Sequence, residues 1–459
     1  MNMHDTETTN RKRLIIVGGG AVGLAVATSV KRHGNYEIMV FSSDSHTAYS
    51  QCGMPFVISG EIEDFNSLIL RKKDFFEEME IDLRLNTTVE SIDLKDRTVF
   101  ANGEKHHFDK LVIATGSRPS VPENLMTEAG LENVFTLRTL ADGMRIDRAL
   151  KNAKNVIIVG GGAIGVELAL ASAKRGLRTL LVNRGTSLLS HNIDQDMADI
   201  VREHLESMGV DVLTGYEPRT MNGKDRVESV AIGEEEFPAD VAIISTGVYP
   251  ETKLASDAGI EIGLTGGIIV NEYLQVKTEH GYDPDVYAGG ECTQLQDFVT
   301  GMPMLSQLAS TARRMAGVIR NNLVSKPATF GPIVNPWTAA IGELQVGTVG
   351  ITTRKAKQHG IDIVSGLATG TTRAGYYPGS TRLFIKLLFN NRTLVGAQVI
   401  GGEGVKERID GLSLAIMKKT TLDELLSLET CYTPPLSMLV DPLTFAAQGA
   451  LKKMPRSKK

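Results

Sequence analysis

The sequence predicts an α/β fold with two similar strand–turn–helix–strand units, followed by a smaller α+β domain. The first observation is the short apolar segment Arg13–Val17, which leads into a glycine-rich turn and a helical pattern. The second is the return of nearly the same order in mid-chain, from Asn155 onward. The third is a change of pattern beyond about residue 330, where strand-like runs precede two helical ones. Alternating strands and helices are typical of parallel sheets covered by helices.

The predicted elements follow these three regions in order. In the first region they are strand Arg13–Val17, a helix to about Arg32, and strands Glu37–Phe41 and Lys110–Ala114. In the second they are strand Asn155–Val159, helix Val166–Arg175, and strands Arg178–Val182 and Asp240–Ser245. In the third they are strands Gly347–Ile351, Arg382–Phe389 and Leu394–Ile400, then helices Asp410–Met417 and Thr421–Leu428. Only the third region has the pattern of an antiparallel sheet.

The composition limits the classes of protein to which this chain can belong. The chain has 459 residues, which at roughly 100–200 residues per domain suggests two to four domains. Its net charge of -5 offers no basic surplus for a nucleic-acid partner. The chain has three cysteines, Cys52, Cys292 and Cys431, a small and odd number that cannot form a disulfide framework. They fit a reducing compartment, so we expect a cytoplasmic protein.

One segment superficially resembles a secretion signal. Lys12 and Arg13 precede an apolar run, Leu14–Val30, but four glycines interrupt that run and a similar string recurs at Val156–Ala169. A secretion signal is not repeated inside a chain, so we interpret the segment as structural. Nothing else approaches the roughly 20 apolar residues of a membrane span, and we expect no membrane partner.

Two glycine turns carry the first functional signal. Each has the pattern Gly-x-Gly-x-x-Gly, follows a strand and opens a helix, which is the context that makes the pattern credible. The first glycine allows the tight turn, the second lets a pyrophosphate approach the backbone, and the third packs the helix on the strand. The candidate residues are Gly18, Gly20 and Gly23 in the first turn and Gly160, Gly162 and Gly165 in the second. Two such sites predict two Rossmann-like domains, one for FAD and one for NAD(P), with electrons passing between them.

In such sites an acid at the end of the second strand of each unit binds a ribose, and both units of this chain lack it. Ser42 ends the strand of the first unit, and Asp44 is the candidate replacement two residues later, with a solvated turn aspartate as the alternative. In the second unit Asn183 and Arg184 occupy the equivalent place. An arginine there pairs with a 2′-phosphate, which favours NADPH over NADH.

The order of these motifs resembles the flavin-dependent pyridine nucleotide–disulfide oxidoreductases from about residue 12 to the C-terminus. The resemblance also includes two Thr-Gly segments and the string Asp285–Glu291. It implies that Thr115, Gly116, Gly247, Gly290 and Glu291 are further cofactor-binding residues. In that family an aspartate binds the ribityl chain of FAD where this chain has Glu291. The implied organisation is an FAD domain (11–149 and 272–328), an NAD(P) domain (150–271) and a C-terminal dimerisation domain (329–459).

Cys52 is the predicted redox centre. The positions three and five residues away hold Tyr49, Pro55, Thr47 and Val57, so Cys52 has no local cysteine partner. Its oxidised form must therefore be a mixed disulfide with a small thiol, a sulfenic acid or a bond to another chain. Gly53 would let the backbone approach the flavin. Pro55 suits the first turn of a following helix, whose N-terminus is expected to lower the thiol pKa.

This string resembles the single-cysteine branch, which contains coenzyme A-disulfide reductases, NADH oxidases and NADH peroxidases. The oxidases and peroxidases carry a histidine in the first glycine turn, where this chain has Ala21. The segments that contain Tyr376, Tyr377 and Tyr432 resemble C-terminal motifs of the reductases, which reach the active site of the partner subunit. The resemblance therefore implies a homodimer, and Tyr432 or Tyr377 is the candidate proton donor, with a packed interface aromatic as the alternative. A serine four residues before the cysteine is replaced by Ala48, which departs from the pattern.

Glu167 and two basic runs complete the predicted site. Glu167 matches a family position near the nicotinamide, where it would hold the nicotinamide or a nearby lysine. The basic runs Lys31–Arg32 and Arg71–Lys73 are candidates for the phosphates of coenzyme A, although such runs are usually solvated. No metal site is expected.

The function predicted from the resemblance is reduction of coenzyme A disulfide by NADPH or NADH through FAD and a Cys52 mixed disulfide. A related low-molecular-weight disulfide or a polysulfide is a chemically close substrate. The alternative is an NAD(P)H oxidase that reduces oxygen through a Cys52 sulfenic acid. A flavin-binding redox sensor with incidental turnover is a third reading, and the presence of Cys52 in its motif argues against it.

Overall fold

The first domain is built on a six-stranded sheet. The computed structural model describes residues 11–125 and 130–455. Across the sheet the strands are Gln275–Thr278, Gly281–Ala288, Lys110–Ile113, Lys12–Val17, Tyr36–Phe41 and Ile81–Arg84. All neighbours are parallel except the first pair, which is a hairpin. One face packs against helices Ala21–His33 and Ala309–Leu323, and the other against the antiparallel strands Val89–Asp93, Thr98–Ala101 and Glu104–His107.

The second domain repeats the design with five parallel strands. Across the sheet they are Val210–Thr214, Arg178–Asn183, Asn155–Val159, Val241–Ile244 and Val134–Phe135. Helices Leu140–Leu150, Ala163–Lys174 and Gln195–Ser207 bury their apolar faces in the adjoining core. The small antiparallel sheet Pro218–Asn222, Ser229–Ile232 and Glu235–Pro238 covers the other face.

The predicted limits of the second domain, residues 150 and 271, differ from the membership of this sheet. Strand Val134–Phe135 precedes residue 150 and pairs with Val241–Ile244. Ile260 and Ile268 precede residue 272 but pack in the core of the first domain. We therefore propose that the inserted domain begins before residue 134 and ends near residue 250.

The third domain is a five-stranded antiparallel sheet. Across the sheet its strands are Trp337–Ile341, Leu344–Gly350, Thr393–Gly401, Arg382–Asn390 and Val364–Thr371. Helices Val405–Met417, Leu422–Leu426 and Pro442–Lys453 pack on one face of this sheet, and Thr353–Gln358 is a further short helix. The opposite face contributes Val346 and Ile400 to the core of the second domain, so the two domains share packed apolar surface.

The remaining elements are short. The helices are Gln51–Gly53, Met54–Ile58, Phe65–Leu68, Lys73–Glu78, Glu123–Leu125 and Lys253–Asp257, and the strands are Ser117–Pro119, Val248–Pro250, Leu295–Gln296 and Pro303–Met304. Ser117–Pro119 and Val248–Pro250 pair with each other where the chain passes from the first domain to the second and back. Among the residues described, no helix combines the length and the apolar character needed to cross a membrane.

Candidate active site

The three glycines of the first turn differ in the space around them. Gly18 has a φ of +116°, and a Cβ there would overlap the carbonyl oxygen of Ala114 on the neighbouring strand. A Cβ at Gly23 would overlap the carbonyl oxygen of Gly18, because the helix starts directly against the turn. A Cβ at Gly20 would meet only open space. The first and third glycines are thus required by the chain itself, whereas the second faces the volume beyond the strand ends.

The second turn reproduces this arrangement. Gly160 has a φ of +117° and lies against the carbonyl oxygen of Ser245, and a Cβ at Gly165 would overlap the carbonyl oxygen of Gly160. Gly162, the equivalent of Gly20, again faces open space. Each turn opens a helix whose first amides point toward that space, which is the arrangement that binds phosphate groups.

The two Thr-Gly segments join the first and second domains. The Thr115 hydroxyl donates to the carbonyl oxygen of Glu251 at 2.5 Å, and the Thr246 hydroxyl donates to that of Ser120 at 2.6 Å. Gly116 and Gly247 have φ values of +73° and +121°. Both positions, where the chain passes between the two domains, therefore need a residue that tolerates a positive φ. The observed contacts of Thr115, Gly116 and Gly247 are structural, and their predicted contact with a cofactor stays a prediction.

Cys52 lies on the short helix Gln51–Gly53, directly before helix Met54–Ile58 with Pro55 in its first turn, as predicted. Cys52 is an exposed free thiol. The surrounding atoms nevertheless remove enough water to raise its pKa, and the negative charges of Glu167 and Glu291 raise it further. The direction of this shift is opposite to the lowering expected from the helix N-terminus.

Glu291 is held by two partners at the end of strand Gly281–Ala288. Its carboxylate accepts a hydrogen bond from the Ser117 hydroxyl and pairs with the Arg138 guanidinium at 3.2 Å. Gly290, directly before it, has a φ of +94° and packs against Val22 of the first helix. The longer acid thus bridges the first domain to the segment that leads into helix Leu140–Leu150. Neither Ser117 nor Arg138 was singled out from the sequence.

Glu167 lies on helix Ala163–Lys174 in the second domain and acts on Cys52 across the boundary between the domains. Burial raises its pKa to about 7. Within the described part of the chain no lysine forms an ion pair with it, so the predicted lysine partner is not found there. A carboxyl group with this pKa is half-protonated near neutral pH, which suits a group that accepts or donates a proton.

Asp44 and Thr47 lie on the loop between the first unit and Cys52. The carboxylate of Asp44 accepts from the Tyr49 phenol at 2.6 Å and from the backbone amide of His46 at 3.0 Å. Asp44 is therefore an organiser of this loop rather than a solvated turn residue, and a carboxylate with two such bonds still has acceptor capacity for a ribose. The Thr47 hydroxyl is buried and has no hydrogen-bond partner among the described residues.

Asn183 and Arg184, which stand where a ribose-binding acid would be expected, differ in their contacts. The side chain of Asn183 accepts from the amide of Gly161 at 3.1 Å and donates to the carbonyl oxygens of Gly185 and Ser187. It thereby ties the second glycine turn to the loop that follows the strand. The side chain of Arg184 is 80% exposed and lies 3.4 Å from Glu217, a solvated pair that leaves the guanidinium accessible.

Within the part of the chain that the structure describes, no hydrogen bond joins the C-terminal tyrosines to Cys52. Tyr376, Tyr377 and Tyr432 are exposed on loops of the third domain. A hydrogen bond with Tyr376 raises the pKa of Tyr432, so its phenol stays protonated. Exposed aromatic side chains fit the predicted role across a dimer interface.

Comparison with known proteins identifies the family. The model for pyridine nucleotide-disulphide oxidoreductases matches residues 12–316, and the model for the dimerisation domain of the same family matches residues 338–442. An NADH oxidase of Methanocaldococcus jannaschii is 38% identical, covering 96% of this chain and 99% of the relative. An NAD(P)H coenzyme A polysulfide/persulfide reductase of Pyrococcus horikoshii is 30% identical, covering 95% and 98%.

A solved structure agrees with these relatives. An NAD-dependent persulfide reductase from A. fulgidus superposes with a TM-score of 0.92 at 30% identity, covering 96% of this chain and 83% of that chain. The predicted fold class, two dinucleotide-binding α/β domains and a C-terminal α+β dimerisation domain, is confirmed. The chain therefore belongs to the pyridine nucleotide-disulphide oxidoreductase family.

Proposed function

We propose that this chain reduces coenzyme A disulfide, or a related low-molecular-weight disulfide or persulfide, with electrons from a nicotinamide nucleotide. The observation that carries the proposal is the position of Cys52, an exposed free thiol beside carboxylates of two different domains. With no local cysteine partner, this thiol forms a disulfide only with a molecule that enters the site or with another chain. The similarity to a coenzyme A polysulfide/persulfide reductase supports a thiol of that class.

The sulfur chemistry needs no cysteine other than Cys52. Its thiolate attacks one sulfur of the incoming disulfide, a Cys52–sulfur bond forms, the substrate S–S bond breaks, and one thiol leaves with the proton that Cys52 released. The mixed disulfide is then reduced by the two electrons of one nicotinamide hydride, with one further proton taken from solvent; its S–S bond breaks, the second thiol leaves and the Cys52 thiol is restored. Because the pKa of Cys52 is raised, a nearby proton acceptor favours the attack, and Glu167, with its pKa of about 7, supplies one.

The first glycine turn fits the FAD that the family implies. Open space beyond Gly20 and the unpartnered Thr47 hydroxyl leave room and a hydrogen-bond donor for such a group. Gly18, Gly20, Gly23, Asp44 and Glu291 would hold it. Bound FAD supplies two-electron transfer between a nicotinamide and sulfur.

The second turn, with Gly162 facing open space, fits the nicotinamide nucleotide. The exposed guanidinium of Arg184 supports a preference for NADPH, because it is positioned directly after the strand and is only weakly paired. Replacement by glutamate should therefore raise the KM for NADPH more than the KM for NADH. Equal effects on the two nucleotides would contradict the preference.

Of the two basic runs, Arg71–Lys73 is the better candidate for the phosphates of coenzyme A. The guanidinium of Arg71 lies over the Phe75 ring, and this run follows Ile69, which bridges to Tyr49 of the cysteine loop. Each run has one lysine in an ion pair, Lys31 with Glu80 at 3.0 Å and Lys73 with Glu77 at 3.3 Å. The bridge between Ile69 and Tyr49, which holds the segment before Arg71 against the cysteine loop, therefore favours the run Arg71–Lys73.

The test measures the mass of the purified holoenzyme before and after dithiothreitol, followed by turnover of coenzyme A disulfide. We expect a reducible adduct of the mass of coenzyme A on Cys52 and loss of turnover in Cys52→Ser. Cys431→Ser, which changes the other exposed thiol, is the matched control and should keep its adduct and turnover. Turnover that survives in Cys52→Ser would disprove the proposal.

A second candidate is an NAD(P)H oxidase, favoured by the 38% identical relative that carries that name. In this case Cys52 would cycle through a sulfenic acid. Ala21 in place of a histidine argues against it. Oxygen consumption faster than disulfide reduction in the same preparation, together with a single added oxygen on Cys52, would make the oxidase the function.

A further inference from the structure

The loop between strand Arg178–Asn183 and helix Gln195–Ser207 packs against the second glycine turn. It begins at Arg184, and the amide of Leu189 donates to the carbonyl oxygen of Gly161 at 2.7 Å. Leu188 is almost fully buried, and a Cβ at Gly161 would lie 2.7 Å from its side chain. The shape of the second glycine turn therefore depends on the position of this loop.

The far end of the loop is held by the third domain. The amide of Asp194 donates to the side-chain oxygen of Gln398 at 2.9 Å. Its carboxylate accepts from the amide and the hydroxyl of Thr353 at 2.9 and 2.6 Å. It also pairs with the ammonium group of Lys386 at 3.0 Å. A second contact joins His191 of the loop to the guanidinium of Arg354 at 3.0 Å.

This polar cluster lies inside an otherwise apolar contact. Lys386 and Gln398 are opposite each other on adjacent strands, so their side chains project from the same face of the sheet. The side chains of Lys386 and Asp194 are only 9% and 6% exposed. Lys386 also reaches Asp196 at 2.7 Å. Replacing a buried ion pair by apolar residues is often neutral or stabilising, so burial of these charges is weak evidence for a role in stability alone.

We propose that Lys386, through Asp194, is a positioning residue that sets the affinity of the second site for the nicotinamide nucleotide. The third domain thereby determines where the loop from Arg184 to Asp194 lies against the glycine turn. This inference rests on the proposed function, in which that turn binds NAD(P)H. It assigns the third domain a role beyond dimerisation.

The test compares Lys386→Met with Lys406→Met, which removes an exposed lysine of the same domain paired with Asp410. We expect Lys386→Met to raise the KM for the nucleotide at least about fivefold, within the usual range of coupling between sites, with kcat and the KM for the disulfide nearly unchanged. Lys386→Arg, which keeps the charge, should restore much of the affinity. Lys406→Met should behave as wild type.

Hydrogen exchange of the holoenzyme measures directly how well the backbone amides of this loop are protected. In Lys386→Met the amides of residues 185–194 should exchange faster, while those of helix Ala163–Lys174 do not change. Thr353→Val, at an exposed position, should give a smaller change in the same direction and keeps the test open if Lys386→Met fails to fold. Unchanged loop exchange, or faster exchange with an unchanged KM, would overturn the inference. A wild-type protein that oxidises neither nucleotide would refute the proposed function instead, and the loop exchange would still decide whether Lys386 positions the loop.

Discussion

The ionisation of Glu167 should make the protein less stable as the pH rises from acid to neutral. Burial raises the pKa of this carboxyl from 4.5 to about 7. A difference of about 2.5 units, at about 1.36 kcal/mol per unit, destabilises the native state by about 3 kcal/mol once the group is ionised. Because the native state holds the proton more tightly than the unfolded chain, this destabilisation is absent below about pH 4.5. It grows up to about pH 7 and is constant above that.

Glu167→Gln removes the charge with little change in size, so it isolates this effect. The variant should be more stable than wild type by about 3 kcal/mol at pH 8 and by about 1 kcal/mol at pH 5. Urea unfolding of the holoenzyme, followed by flavin fluorescence and circular dichroism, measures the difference from the shift in midpoint. Glu203→Gln, an exposed acid on helix Gln195–Ser207, is the matched control and should show no pH-dependent difference.

The same variant should lower the pKa of Cys52, because the charge of Glu167 is one of the causes that raise it. The rate of alkylation of Cys52 by iodoacetamide as a function of pH measures that pKa. A shift in urea midpoint that is equal at pH 5 and pH 8 would refute the assigned burial of the charge. An unchanged alkylation profile would refute the electrostatic contact with Cys52.

Three further predictions concern single substitutions. Gly23→Ala should destabilise the protein by about 1–3 kcal/mol or more, because the added Cβ overlaps the backbone, whereas Gly20→Ala should fold normally but bind FAD more weakly. Thermal unfolding measures the stability and flavin titration the affinity for FAD, and equal stability losses in the two variants would contradict the assignment. Cys292→Ala should keep full disulfide turnover and lose about 1 kcal/mol of stability, because this thiol is buried in the core. A loss of turnover in the folded variant would show that Cys292 has a chemical role. Tyr432→Phe should lower disulfide turnover about 100-fold while stopped-flow reduction of the flavin by NADPH keeps its rate; unchanged turnover would exclude Tyr432 as the proton donor.

The fold was predictable because its signals are local. Strand Asn155–Val159 has the same bounds in the structure as in the sequence prediction, and strand Arg178–Asn183 is one residue longer than predicted. The glycine turns were also readable, since a positive φ and a close strand–helix approach are demands that adjacent residues impose on one another. Strand Val134–Phe135 was missed because two residues carry no period, and its place in the sheet depends on a partner about a hundred positions away.

For the candidate site, the sequence predicts only properties that a single segment shows without its distant partners. Cys52 could be proposed because the lack of a local cysteine partner is visible in the sequence, but the direction of its pKa shift could not be predicted. That shift depends on Glu167 and Glu291, which lie 115 and 239 positions further along the chain and approach it only when the domains pack. The partners of Glu291 and Asp194 are distant in the same way, since Arg138 and Lys386 are charged residues without a motif around them. The proposal of Cys52 as the reacting sulfur therefore follows from one segment, whereas the direction of its pKa shift and the position of the loop from Arg184 to Asp194 are properties of the assembled domains.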